Sequence, residues 1–281
     1  MIERTLTCIG PHGFHRLAYT EWPGPKPDAP VLLCVHGLTR NSRDFDVLAA
    51  ALSTHYRVVC PDMPGRGKSE WLSVAADYGY PVYLGDITTL IARLDVPRVD
   101  WVGTSMGGIV GMICASLPNA PIGKLVLNDV GALVPKAGIE RIAAYTGLDP
   151  SFADLAAFEA ALRRIHAPFG PLSDAQWRHL ATHSARRKPD GGIGFNYDPK
   201  IAEPMKQGPI ADVALWPTWD AIKAPVLVLR GEQSDILLAS DAVAMTQRGP
   251  KTKLVEFAGI GHAPALMADD QIAAIRDFLL G

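Results

Sequence analysis

The chain has 281 residues, 27 Lys plus Arg against 29 Asp plus Glu, and a formal net charge of −2. That near balance excludes the basic footprint of a nucleic-acid binder. With 48% hydrophobic residues the composition is that of a globular protein, and the length suits one or two domains with a core that needs no staples. The four cysteines, Cys8, Cys34, Cys60 and Cys114, form no CxxC pair and sit in apolar runs. They read as buried free thiols in a reducing compartment. The start, Met1-Ile2-Glu3-Arg4, carries an acid and no apolar stretch of signal-peptide length. No uncharged apolar run approaches 18 residues, so no membrane partner is expected and the cytoplasm is the expected location.

In chain order, Glu3–Ile9 and Phe14–Trp22 alternate in polarity and predict an antiparallel start to a sheet. Val31–His36 is a buried strand, followed by helix Arg43–Ser53, strand Arg57–Cys60 and helix Val82–Leu94. Strand Val99–Gly103, helix Met106–Leu117 and strand Lys124–Asn128 come next. Strand Val226–Arg230, helix Ala239–Arg248, strand Lys253–Phe257 and helix Asp269–Leu279 close the chain. Near-continuous apolar strands separated by helices predict an α/β fold with a mostly parallel sheet covered on both faces. From Leu133 to Pro217 the rhythm stops. No good strand is visible there, and helical periodicity appears at Ile139–Tyr145, Phe152–Ile165 and Asp174–Ser184. The expected division is a core of residues 1–132 and 218–281 with a helical cap, 133–217, inserted between strands 6 and 7. Such a cap is expected across the carboxyl ends of the strands, where α/β sheets bind ligands.

The sharpest motif is Gly103-Thr104-Ser105-Met106-Gly107, a G-x-S-x-G run between a strand and a helix. The small residues let a tight turn thrust out the Ser105 hydroxyl, and the helix start offers N–H groups to a developing oxyanion. A serine needs a base. His262, on a Gly-punctuated loop after the last strand, is the candidate. His36 is expected to pack under its own loop, and His166, His179 and His183 to lie on solvated cap faces. The base needs a carboxylate. Two stand near strand ends: Asp235, in Gly231-Glu232-Gln233-Ser234-Asp235, and Asp129, directly after Leu125-Val126-Leu127-Asn128. Asp235 is preferred because it lies on the strand unit just before that of His262; Asp129 is then a loop-capping carboxylate. The backbone N–H groups of Leu38 and Met106 are the expected oxyanion donors. Arg40, Trp177 and Trp216 are candidate pocket residues. Pro61-Asp62-Met63-Pro64-Gly65-Arg66-Gly67-Lys68-Ser69 lacks P-loop spacing and reads as structural packing near the pocket. No metal-ligand spacing is present, so neither metal nor cofactor is expected.

Together His36-Gly37, Asp62 to Ser69, Gly103 to Gly108, Gly231 to Asp235 and Gly261-His262 resemble the α/β-hydrolase family, in its cap-bearing esterase and lipase-like branch. The resemblance implies an eight-stranded, mostly parallel sheet and a Ser–Asp–His triad, falling on Ser105, Asp235 and His262. His36 to Phe45, with Leu127-Asn128-Asp129-Val130-Gly131, looks like bacterial carboxylesterases and polyester-depolymerase-like hydrolases. The implied chemistry is two-step acyl transfer on small to medium carboxylic esters in a mostly apolar pocket. Lactone, carbon–carbon and peracid reactions run on the same triad and are the alternatives, with a non-catalytic small-molecule receptor further behind. The partner is a small-molecule ester; a homo-oligomer is compatible with the sequence.

Overall fold

The computed structural model describes all 281 residues. Its centre is an eight-stranded sheet in the order β1-β2-β4-β3-β5-β6-β11-β12. Strands β1 (Ile2–Gly10) and β2 (Gly13–Trp22) form the antiparallel hairpin expected from their alternation, and β2 pairs antiparallel with β4 (Arg57–Pro61). All other pairings are parallel, through β3 (Val31–Val35), β5 (Val99–Thr104), β6 (Ile122–Asn128), β11 (Val226–Gly231) and β12 (Thr252–Phe257).

The two-residue strand period divides the core. Leu33, Val35, Trp101 and Val228 point into one buried cluster; Leu32, Cys34, Val102 and Leu229 point into another. Helices α1 (Asp46–Leu52) and α9 (Asp269–Leu280) cover the second face with Leu48, Leu52, Ile275 and Phe278. Helices α2 (Tyr80–Leu94), α3 (Met106–Ser116) and α8 (Ala239–Gln247) cover the first with Ile87, Leu90, Val110, Met112 and Met245. Covering both faces is why these strands are continuously apolar. All four cysteines are free, three of them buried, and burial pushes the Cys8 thiol up to about 12.

After β6 the chain leaves the sheet and returns at β11. The intervening segment holds α4 (Lys136–Tyr145), α5 (Leu155–Ile165) and α6 (Asp174–Ser184), all near their predicted places. The starts of α5 and α6 are set by side chains. Asp154 accepts from the Ala157 N–H, and Ser173 and Gln176 form a reciprocal cap. The expectation of no strands here is corrected. A hairpin of β8 (Ala185–Arg187) and β9 (Ile193–Phe195) and a short pair, β7 (Leu133–Val134) with β10 (Val213–Ala214), tie the segment together. Two- and three-residue strands are too short to leave a periodic signal. The short helix α7 (Trp216–Ala221) leads back to the sheet. No helix is long and apolar enough to cross a membrane.

Candidate active site

Three loops meet at the carboxyl ends of the strands. Ser105 follows β5 directly and starts α3 with φ 52° and ψ −115°. A non-glycine residue in that region is strained, and neighbours must hold it there. They do: the Ser105 N–H donates to the Asn128 carbonyl at 3.0 Å, and its carbonyl accepts from Gly108 at 2.9 Å. The glycines of the motif are steric requirements. A Cβ on Gly103 would meet the Gly107 and Gly108 backbone, and one on Gly107 would collide with the Val35 carbonyl.

His262 stands on the loop after β12. Its Nε2 lies 2.9 Å from Ser105 Oγ, and its Nδ1 lies 2.8 Å from Asp129 Oδ2. The His262 side chain is 9% exposed and Asp129 is fully buried. Asp129 also accepts the Gly231 N–H on Oδ1 at 2.8 Å and the Ser234 hydroxyl on Oδ2 at 2.6 Å. A carboxylate accepting three donors is held in one orientation. By accepting from Nδ1–H, Asp129 fixes the histidine with Nε2 free to accept from serine. Asn128 steadies the assembly: its amide donates to Thr104 Oγ1 at 3.0 Å and to the Pro264 carbonyl, beyond His262, at 2.8 Å.

Asp235 is therefore corrected. It lies past the end of β11, 42% exposed, where Arg141 of α4 takes both its oxygens, Nη2 donating to Oδ1 at 2.7 Å and Nε to Oδ2. Burial works to raise its carboxyl, but Arg141, with a smaller contribution from His262, holds it below the usual carboxylate range. The chain order Ser–Asp–His could not choose between the two acids, since both lie between Ser105 and His262. Register does choose. Thr104 of β5 pairs with Asn128 of β6, so the next residues, Ser105 and Asp129, emerge side by side.

Opposite Ser105, a Cβ on Gly37 would come within 3.7 Å of the Ser105 Cβ, so the turn after β3 abuts the nucleophile. The N–H groups of Leu38 and Met106 both lack a backbone acceptor. Beneath them, His36 is fully buried and neutral. Its Nδ1 donates to the Gly37 carbonyl at 2.7 Å, its Nε2 accepts the Met63 N–H at 2.9 Å, and burial lowers its pKa to about 3. Asp62 accepts the Ser42 and Lys68 N–H groups and fixes the Gly-rich loop. Arg66 of that loop is fully buried with no carboxylate partner. It donates to the Leu38 carbonyl at 2.8 Å and the Tyr83 hydroxyl at 2.9 Å, approaches Met106 Sδ at 3.7 Å, and lies against the Tyr78 and Tyr83 rings. The loop thus braces both amides that face the nucleophile. Its role as packing was legible; its cation was missed because buried, unpaired arginines leave no mark in a sequence.

Ser105 opens onto a cavity of about 430 Å³. Fourteen of its 17 lining residues are hydrophobic, and none is charged. The core contributes Leu38, Tyr78, Tyr80, Tyr83, Met106, Ile109 and Ile236; the inserted segment contributes Val134, Ile139, Ile142, Ile201, Met205 and Val213. The candidate pocket residues do not line it. Arg40 is buried and gripped by Asp44 at 2.7 and 2.8 Å, one helical turn away. Trp177 is packed within the inserted segment against Arg163, and Trp216 lies against Arg248. No aromatic ring of the segment lines the cavity; the segment's side of the wall is aliphatic, and the core's side carries Tyr78, Tyr80 and Tyr83. The cap histidines are also corrected. His166 is buried, stacked on Phe169 with Arg40 Nη1 3.5 Å from its Nε2, and burial with the Arg40 charge holds its pKa well below 6.5. His179 donates to the Arg43 carbonyl and His183 accepts from Arg43, so they dock the segment on the core.

Two groups of ligand-type side chains lie away from this centre: Cys8, His15 and Asp86, and Asp46, His179 and His183. In the first, His15 Nε2 bonds both Asp86 oxygens at 2.9 and 3.0 Å, tying the β1–β2 hairpin to α2. Their sequence separations gave no metal-ligand pattern.

Residues 32–275 match the alpha/beta hydrolase family. The chain belongs to that family. A 3-hydroxybutyrate-oligomer hydrolase of Cupriavidus necator is 46% identical over 286 residues, covering 98% of this chain and 97% of the relative. A crystal structure of an alpha/beta hydrolase from Novosphingobium aromaticivorans superimposes with a TM-score of 0.89 at 39% identity, covering 99% of this chain and 98% of the other. An esterase of Mycobacterium tuberculosis, Rv0045c, is 27% identical over 93% of this chain and 84% of its own length. The sheet of this α/β hydrolase has the eight-stranded, mostly parallel arrangement expected from the motifs, and Asp129, not Asp235, stands against His262.

Proposed function

We propose that this α/β hydrolase is a serine carboxylesterase that cleaves small esters, short oligomers of 3-hydroxybutyrate among them. The observation that carries the reading is the unbroken relay Ser105 Oγ, His262 Nε2, His262 Nδ1, Asp129 Oδ2, with both links below 3 Å. In it His262 takes the Ser105 proton as Oγ attacks the ester carbonyl carbon. The oxyanion forms against the N–H groups of Leu38 and Met106, where the α3 dipole adds its positive end. His262 then protonates the departing alkoxide, and water activated by the same nitrogen releases the acid. Asp129 stabilises the imidazolium without taking its proton. The mostly apolar cavity suits the short methyl-bearing backbone of a 3-hydroxyalkanoate, and the Cupriavidus relative supports that substrate class. The inserted segment acts as the cap that roofs the cavity. Four free cysteines, three of them buried, fit a cytoplasmic setting.

The test is steady-state hydrolysis of p-nitrophenyl acetate, butyrate and octanoate, and of the linear 3-hydroxybutyrate dimer, by wild type and Ser105→Ala. Saturable turnover that falls by about 10³-fold or more in the variant is expected. Turnover retained by Ser105→Ala removes the serine from the mechanism. A folded wild type inert on every ester but active on lactones or diketones moves the reading to those reactions.

A further inference from the structure

The cavity at Ser105 holds no charged side chain, yet an ion pair stands beside it. Arg141 lies on α4 between Ile139 and Ile142, which both line the cavity; its partner Asp235 precedes Ile236, which lines it too. The helix is seated on that loop, since a Cβ on Gly138 would collide with Ile236 and the Asp235 carbonyl. The pair therefore bridges the inserted segment and the core beside the cavity onto which Ser105 opens.

We propose that Arg141 is the anchor for a carboxylate carried by the substrate, and that the enzyme prefers esters ending in a free carboxylate. This rests on the esterase reading above. Three observations lead to it. Asp129 occupies the catalytic acid position, so Asp235 is not needed by His262 and serves instead as a stand-in carboxylate on Arg141. The Arg141 and Asp235 side chains are 36% and 42% exposed, so water reaches and screens the pair and an incoming anion can reach it too. An incoming carboxylate that replaces Asp235 gains the same two-pronged guanidinium contact that Asp235 gives up. Lastly, a substrate carboxylate cannot enter the uncharged cavity without a counter-ion. In an oligomer of 3-hydroxybutyrate the leaving hydroxy acid carries its carboxylate two carbons from the ester oxygen's carbon, so one end of the substrate is always anionic while the other ends in a neutral hydroxyl.

The experiment compares kcat/KM for the linear 3-hydroxybutyrate dimer with that for its methyl ester, in wild type, Arg141→Gln and Asp235→Asn. The ratio of the two cancels any difference in the fraction of folded enzyme. Wild type is expected to favour the free acid. Arg141→Gln should lower the ratio by about tenfold or more, the worth of one charged hydrogen-bonded contact. Asp235→Asn should hold or raise it by removing the competing carboxylate. A ratio within twofold of wild type in Arg141→Gln overturns the anchor, as does an equal fall in Asp235→Asn, which marks the pair as a latch between segment and core. Wild-type turnover of the methyl ester without preference for the acid overturns only the anchor; absence of turnover on both and on p-nitrophenyl butyrate overturns the esterase reading itself.

Discussion

Asp129 accepts from a histidine, a serine hydroxyl and a backbone N–H while fully buried, whereas Asp235 meets a single arginine at the surface. Asp129→Asn leaves the shape and places an amide where His262 needs an acceptor, so kcat should fall by about 10³–10⁴-fold. Asp235→Asn should stay within about tenfold on p-nitrophenyl butyrate, since its oxygens touch neither His262 nor Ser105. The reverse ranking in steady-state assays would return the acid role to Asp235. His36 argues at the same scale. Burial holds its folded pKa near 3, below the 6.5 of an ordinary histidine. Between those values the unfolded chain binds one more proton than the folded one. Stability from this site is therefore present at neutral pH and lost as pH falls, by about 1.4 kcal/mol per pH unit. Urea unfolding at pH 6 and pH 5 should show a shallower loss, by about 1 kcal/mol, in His36→Asn than in wild type. Equal slopes would contradict the buried neutral histidine.

Element by element, the site depends on α3 lying hard against β3. Gly107 meets the Val35 and His36 carbonyls so closely that even a methyl group must push the helix away. Gly107→Ala should cost about 1–3 kcal/mol of stability through overpacking and, by moving the Met106 N–H relative to Leu38, at least tenfold in kcat. Thermal melts and p-nitrophenyl butyrate kinetics read the two effects, and unchanged kcat would detach helix placement from the oxyanion donors. The inserted segment has its own element-scale core. Phe158 is fully buried and meets Phe152 and Phe195 edge-on, with ring centroids 5.6 and 5.1 Å apart. Those rings join α5 to the β8–β9 hairpin, which is why the aromatic residues of the segment hold its fold and leave the substrate wall to isoleucines.

Across the whole molecule, the sheet brings the carboxyl ends of β3, β5, β6 and β12 to one edge and the segment between β6 and β11 closes over them. The acyl-chain profile then belongs to the contact between two parts of the chain. Ile142→Ala removes three carbons from the segment's side of the cavity and should shift the preferred p-nitrophenyl ester toward longer chains, with butyrate losing and octanoate gaining by severalfold in kcat/KM. An unchanged profile would mean that substrates do not reach this wall.

The sequence by itself determined the alternation of strands and helices, the elbow at Ser105, the loop histidine and the packing role of Asp62 to Ser69. Each depends on near neighbours in the chain: apolar runs, glycines where a turn doubles back, a polar residue at a strand end. The register of β5 on β6, which sets Asp129 beside Ser105, depends on residues 24 apart and has no local signal. The same is true of Arg141 capturing Asp235 across 94 residues, of Arg66 under Leu38 and Met106, and of which cap residues face the cavity. Local pattern selects the element, but side chains find their partners only when the sheet order and the inserted segment fix the distances between them, and the catalytic acid was decided at that level.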